Sequence, residues 1–240
     1  MASRHVRTHV IIMSALFCAL PLFPSLNLHA QSKDNSELQH VYSQMEAAGR
    51  NLHSFYGKIA QKTYTAILKE FGTTETGEFY LARARNGSTM MCRDISSPGK
   101  SILTLKGDLA TFYQPGLNQA TMYHPGKNTD KVAEFLAFGI GKPPTDLQKN
   151  YDISYQGEES VGGIPCSVLS MKPKDPKMAK WYSLIFMWVK KSNGIPIQYK
   201  MQQPNNDYML VTFSDEKLNI KIPDSKFEQN LSKKVEILRY

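Results

Sequence analysis

Apolar and polar residues alternate with a period of two along most of the chain after Leu52, and helical spacing appears at two points, one before this alternation and one within it. The first is upstream of it, where Leu38, Val41, Met45, Ala48 and Leu52 recur every three or four residues as one stripe of an amphipathic helix, with Ser36 as a suitable cap. From Ser54, Phe55, Gly57, Ile59 and Gln61 share one strand face and Tyr56, Lys58, Ala60 and Lys62 the other. A turn at Gly72–Thr76 leads to Gly77–Arg83, and a polar loop, Arg85–Thr89, leads to a short strand, Met90–Arg93. Pro98-Gly99 turns the chain into Ser101–Leu105, Lys106-Gly107-Asp108 is a hairpin turn into Leu109–Tyr113, and Pro115-Gly116 turns toward Gln119–Tyr123. The second helical stretch follows, capped by Thr129 or Asp130, running through Val132, Phe135, Leu136 and Phe138, and stopped by Gly139, Gly141 and Pro143-Pro144. A short, very apolar helix between runs of strands suits a plug on the open side of a curved sheet. Strands resume at Tyr151–Gln156, Pro165–Met171, Leu184–Lys190, Ile195–Gln202, Tyr208–Ser214 and near Lys233–Leu238. Most connections fit hairpins, so the expected architecture is a strongly curved, mainly antiparallel sheet or barrel of about ten strands with two helices.

The first thirty residues differ in kind. Arg4 and Arg7 precede the apolar run Val10–Leu22, and Leu28-His29-Ala30 ends in a small residue suited to cleavage. The run is too short for a comfortable membrane span and has the arrangement of a secretory signal, which predicts a mature domain over residues 31–240 in the periplasm. Cys18 follows Phe17, a poor fit to the small residues expected before a lipidated cysteine, so no lipid anchor is expected. Losing Arg4 and Arg7 takes the net charge from +8 to +6, with lysines spread among acids. That suits a solvated surface and weak attraction to anionic headgroups; nucleic acid is not an expected partner of an exported chain without a binding motif. Export also permits a disulfide between Cys92 and Cys166, and the sequence leaves open whether their Cα atoms approach closely enough.

The strand Glu78–Arg83 places Phe79, Leu81 and Arg83 on one face. A cation beside two large apolar side chains is costly in a filled core. It makes sense where that face lines a cavity and the arginine reaches carbonyls or a carboxylate on a movable cover; the plain alternative is that Arg83 turns out to water. Around Trp181, both faces of the next strand are apolar, with Tyr182, Leu184, Phe186 and Trp188 alternating with Ser183, Ile185, Met187 and Val189. Such a strand needs cover on both sides, or a ligand on one, and methionines such as Met178 and Met187 adapt to acyl chains of varied shape. Catalytic patterns are missing. His40, His53 and His124 have no metal-ligand spacing, no nucleophile elbow, phosphate loop or dinucleotide fingerprint appears, and Glu158-Glu159 reads as a solvated turn. No cofactor, metal or enzymatic activity is expected.

Taken together, the motifs resemble the periplasmic outer-membrane lipoprotein carriers of the LolA type. Ser54-Phe55-x-Gly57-x-Ile59-x-Gln61 is similar to that family's first strand and Gly77-Glu78-Phe79-Tyr80-Leu81-Ala82-Arg83 to its next. Ser101-Ile102-Leu103, Gly107, Phe112-Tyr113-x-Pro115 and Gln119-Ala120-Thr121 match the hairpin that follows. Leu169-x-Met171-x-Pro173-Lys174, Trp188-Val189, Gly194-x-Pro196, Phe213, Asn219 and Phe227 match the later strands. Ala84 stands where the family has proline, and the ending around Asn230–Tyr240 lacks its Pro-x-Gly.

The resemblance implies an unclosed antiparallel β-barrel of about ten or eleven strands with an α-helical lid over a hydrophobic cavity. It implies a cavity lined by Phe79, Leu81, Leu103, Leu105 and Phe112, and a lid presenting Leu38, Val41, Met45, Val132, Phe135, Leu136 and Phe138. Arg83 takes the role of the latch between sheet and lid. The function implied is a monomeric carrier that shields lipoprotein acyl chains between an inner-membrane lipoprotein-releasing transporter and an outer-membrane acceptor. Two alternatives stand beside it: a lid-and-barrel sensor of stray lipids that binds an anti-sigma or other membrane partner, and a carrier of a non-lipoprotein lipid.

Overall fold

Strand-period sequence with short turns builds one large sheet. A computed structural model of the chain describes residues 26–84 and 87–240. The elements are α1 (Leu26–Asn51), β1 (Ser54–Thr65), β2 (Glu70–Phe71), β3 (Glu75–Arg83), β4 (Thr89–Ser97), β5 (Ser101–Lys106), β6 (Leu109–Gln114), β7 (Gln119–Tyr123), α2 (Thr129–Leu136), α3 (Pro144–Asn150), β8 (Tyr151–Val161), β9 (Ile164–Pro173), α4 (Pro176–Ala179), β10 (Leu184–Lys190), β11 (Pro196–Gln202), β12 (Tyr208–Leu218) and β13 (Glu236–Arg239). The strand order is β13-β7-β6-β5-β4-β3-β1-β12-β11-β10-β9-β8, with the two-residue β2 against β1 beside this path. Neighbours are antiparallel except β13 and β7, which run parallel. The end strands β13 and β8 do not pair, so the sheet is unclosed.

Burial follows the pleat. Phe55, Ile59, Phe79, Leu81, Met187 and Phe213 join one core cluster that also takes in Val41 and Met45 of α1, Ala133 of α2 and Leu147 of α3. The sheet's inner face and the helices therefore share a single core. The outer face carries two smaller clusters, Tyr80, Met90, Cys92 and Phe227 in one and Cys166, Val168, Trp188 and Ile197 in the other. This resolves the two apolar faces of β10. Ile185 and Met187 point to the inner core, while Trp188 packs outward and donates its indole N–H to Glu159 at 2.8 Å.

Several expectations need correction. The leader expected over Met1–Ala30 lies outside the described residues as far as residue 25. Ser36 does not cap α1, which already runs from Leu26, since no glycine or proline separates Pro24 from Gly49. The second helix ends at Leu136, and Phe138 sits beyond it with a left-handed backbone, φ 52°. Glu158 and Glu159 are in strand β8, not a turn. The described residues form the expected unclosed, mostly antiparallel sheet, with thirteen strands counting the two-residue β2, and α3 and α4 are helices that periodicity misses because each is under two and a half turns. Cys92 and Cys166 are free and buried in different clusters of the outer face. Burial pushes the Cys92 thiol up to about 12, so it is a packing residue and not a reactive one. Among the described residues no helix is long and apolar enough to cross a membrane.

Candidate functional site

The interior between sheet and helices is filled at its centre by aromatic rings. Phe138 lies 6.0 Å from Phe79, 5.3 Å from Tyr199 and 5.8 Å from Phe213, centroid to centroid. It reaches them because the chain leaves α2 through a tight turn, Ala137–Lys142, in which Phe138, Gly139 and Gly141 all have positive φ. Phenylalanine is a costly choice for that backbone, and the ring's contacts hold it there.

The same turn is tied to the rim of the sheet. Arg83, the last residue of β3, donates from Nη2 to the Gly141 carbonyl at 2.5 Å. On the other side of that carbonyl runs α1, where a Cβ on Gly49 would sit 2.9 Å from the Gly141 oxygen. Glycine at 49 therefore lets the helix pass close to the turn that Arg83 holds. Asn219, in a left-handed conformation, fixes the helix end: its Oδ1 accepts from His53 N at 2.8 Å and its Nδ2 donates to the Asn51 carbonyl at 2.9 Å. One rim of the fold thus gathers the ends of α1, β3 and β12 around the turn that follows α2.

Beside the aromatic plug a small cavity of about 30 Å³ remains, lined by Leu147, Tyr151, Met171, Ile185, Met187 and Met201 together with Phe135, Phe138 and Tyr199. It holds about one water and no acyl chain in this closed form. A larger open groove of about 650 Å³ lies outside it, between Val132 and Phe135 of α2, Tyr123 at the end of β7, and Met178, Trp181 and Tyr182 at α4. Phe135 borders both spaces and its ring lies 5.8 Å from that of Tyr182.

The residues singled out in the sequence fall unevenly on this geometry. Leu38, Val41, Met45, Phe135, Leu136 and Phe138 all pack on the inner core, while Val132 lines the groove. Phe79, Leu81 and Leu105 are fully buried in that core and Leu103 packs against it. None of these four, nor Phe112, borders the remaining cavity, which lies under β8–β11 instead of β3–β6. The reason is volume: Phe55, Phe79 and Phe213 fill the first half of the sheet, and the unbranched methionines of the second half leave space. Phe112 shares a row with Leu103 but is only half-buried.

Two polar groups on the inner wall escaped sequence reasoning. Arg93 lies opposite Phe79 and Leu103, between the buried Met91 and Ile95 of β4. It donates to Gln61 Oε1 at 2.8 Å, and Gln61 donates in turn to Glu75 Oε2 at 3.1 Å. Burial works against its charge and the nearby Glu75 supports it. The alternation Met91–Arg93–Ile95 carried the same signal that drew attention to Arg83. Tyr199 is 2% exposed, with its hydroxyl unpartnered at the cavity wall, and desolvation raises its pKa well above the ordinary phenol value. An orphaned buried hydroxyl is destabilising. Tyr199→Phe is therefore expected to stabilise the protein by about 1 kcal/mol, seen as a higher urea midpoint at unchanged slope. A lower midpoint would mean that the hydroxyl holds a bound water.

Comparison with known proteins sets this geometry in context. The profile of the MucB/RseB N-terminal domain matches residues 85–231, more than half of the chain. The crystal structure of MucB superposes with a TM-score of 0.51 at 13% identity, covering 85% of this chain and 66% of that one. An uncharacterised conserved protein from Thermus thermophilus superposes with a TM-score of 0.54 at 9% identity, covering 85% of this chain and 99% of that one. The complex of Pseudomonas aeruginosa MucA and MucB is matched at a TM-score of 0.48 and 14% identity, over 80% of this chain and 61% of that one. The chain spans just under two thirds of the MucB chains it matches. A search of curated proteins returned no match.

Proposed function

The chain belongs to the MucB/RseB N-terminal domain family, and from that premise we propose that it works by binding, as a periplasmic sensor that takes acyl chains between sheet and lid and reports its state to a protein partner. The observation that carries this reading is Phe135, which lines both the small methionine-lined cavity and the open apolar groove. A chain entering from the groove displaces Phe135 and then the aromatic plug, and it gains about 0.8 kcal/mol for each CH₂ taken from water. The latch between Arg83 and Gly141 opposes that entry, so empty and loaded forms differ in the turn that follows α2. A partner that contacts this turn or the adjoining rim distinguishes the two forms. MucB has been solved in complex with MucA(peri), and by analogy the partner here is a periplasmic segment of another protein.

Ferrying of lipoproteins from an inner-membrane transporter to an outer-membrane acceptor, implied by the likeness to LolA-type carriers, uses the same cavity and is the second reading. The family match favours the sensor.

The test is uptake of a fluorescent fatty acid. Phe135→Glu puts a carboxylate at the passage between groove and cavity and is expected to weaken uptake at least threefold, with the fold retained by circular dichroism. Uptake equal to the parent in the folded variant would show that acyl chains do not pass Phe135.

A further inference from the structure

We propose that the sheet end carrying the β1–β2 turn and the α4 loop is a docking rim for an anionic phospholipid bilayer. Strand register defines this end. Leu184 lies opposite Gln202, Gln202 opposite Tyr208, Tyr208 opposite Tyr64, and Tyr64 opposite Phe71, a single row across β10, β11, β12, β1 and β2. Three residues before Leu184 stands Trp181, 75% exposed. Three and four residues beyond Tyr64 stand Ile67 and Leu68, 89% and 63% exposed at the β1–β2 turn. The two apolar projections thus leave the same end of the sheet, about 14 Å apart as counted over three strand spacings.

The chemistry of this end changes with height in the order that a bilayer interface presents. At the tip are aliphatic side chains on a convex turn, which a bilayer accepts without offering a matching pocket. Below them Tyr64, Phe71 and Tyr208 form a cluster, with centroids 4.8 to 5.8 Å apart. Lysines lie over these rings: Lys62 Nζ is 4.1 Å from the Phe71 centroid and Lys200 Nζ is 4.4 Å from that of Tyr208. Aromatic rings at the headgroup level, with lysines reaching along them toward phosphate, are the usual anchors of an interface.

Charge points the same way. Lys69, Lys177 and Lys180 are exposed at this end as well. Asp207, which accepts from Ala66 N at 2.7 Å, and Asp175, which accepts from Lys177 N at 2.8 Å, keep their charge and offset part of the positive charge of these lysines and of Lys62 and Lys200. Glu70, next to Lys69, offsets one positive charge. The balance favours anionic headgroups. Docked in this way, Trp181 sits at the membrane together with the groove it lines. The rim stands whether or not the inner cavity takes acyl chains.

The experiment is co-sedimentation of the protein with vesicles of phosphatidylethanolamine and phosphatidylglycerol, against vesicles of phosphatidylcholine alone. Since Trp188 is buried and Trp181 is exposed, a blue shift of tryptophan emission on binding reads Trp181. The parent is expected to bind the anionic vesicles with that shift and to bind the neutral ones at least tenfold more weakly. The double variant Ile67→Asp/Leu68→Asp is expected to lose at least tenfold in vesicle affinity. Its melting temperature and fatty-acid uptake stay at parental values, so failure of the rim and failure of the cavity reading are told apart. Lys62→Gln/Lys200→Gln is expected to weaken binding severalfold and to flatten its salt dependence. Three results overturn the proposal: no vesicle binding by the parent, equal binding by the Ile67/Leu68 variant, or loss in that variant of a protein partner alone.

Discussion

Arg83→Leu is expected to raise apparent affinity for a fluorescent fatty acid about tenfold and to slow its release. The Arg83 guanidinium joins β3 to the Gly141 carbonyl at the rim of the apolar core. A hydrogen bond with a charged donor contributes about 1.5–3 kcal/mol, and exposure of Arg83 puts this one near the lower figure. In the closed form the cavity is too small for a chain, so binding waits on an open minority. Apparent affinity scales with that minority, and removing about 1.5 kcal/mol from the closed form enlarges it about tenfold. The leucine also adds apolar surface to the rim, which favours retention. Equilibrium titration with stopped-flow release of the probe measures both quantities. Parental affinity together with parental release would reduce Arg83 to a surface charge. Higher affinity with faster release would instead make the arginine a gate on exit, not a brace on the closed state.

What the sequence disclosed and what it hid have separate physical causes. The alternation of Phe79, Leu81 and Arg83 shows which side of β3 is inner, because strand period depends on the backbone alone. The Leu38–Met45 stripe likewise marks the helix face that packs on the sheet. Cavity position follows no such local rule. It depends on how much volume each inner side chain takes once the whole sheet has closed around the plug. So Phe79, Leu81 and Leu105 of the expected lining became solid core, and the residual space lies beside the methionines of β9–β11. The partner of Arg83 was equally out of reach: the Gly141 carbonyl is 58 residues away and is a backbone atom with no sequence signature. Gly49 reads as a helix weakness, and only the approach of Gly141 explains it. The end-row aromatics Tyr64, Phe71 and Tyr208 come together through register over three strands, a tertiary property that no single stretch encodes.

Phe138→Ala is expected to cost the empty protein about 3 kcal/mol in stability, the low end for a phenylalanine because the ring is only partly buried, and to make it unusually responsive to ligand. The ring touches those of Phe79, Tyr199 and Phe213, so removing it strips one side from three aromatic contacts and leaves a void among rigid neighbours. That void adjoins the space already present beside Met187 and Met201, since Phe138 itself lines the cavity wall. The two merge into an apolar chamber that water fills poorly and an acyl chain fills well. Alanine also keeps the left-handed turn as strained as before, so the loss reports the ring and not the backbone. Thermal melts with and without a saturating fatty acid separate two roles for the residue. If Phe138 occupies the place of a ligand, the acid restores much of the lost stability and shifts the variant's melting temperature further than the parent's. If Phe138 is ordinary core, the loss remains and the ligand-induced shift matches the parent's. The first outcome is expected, because Phe138 reaches the centre of the sheet from a turn that Arg83 braces at the rim and α1 approaches closely at Gly49.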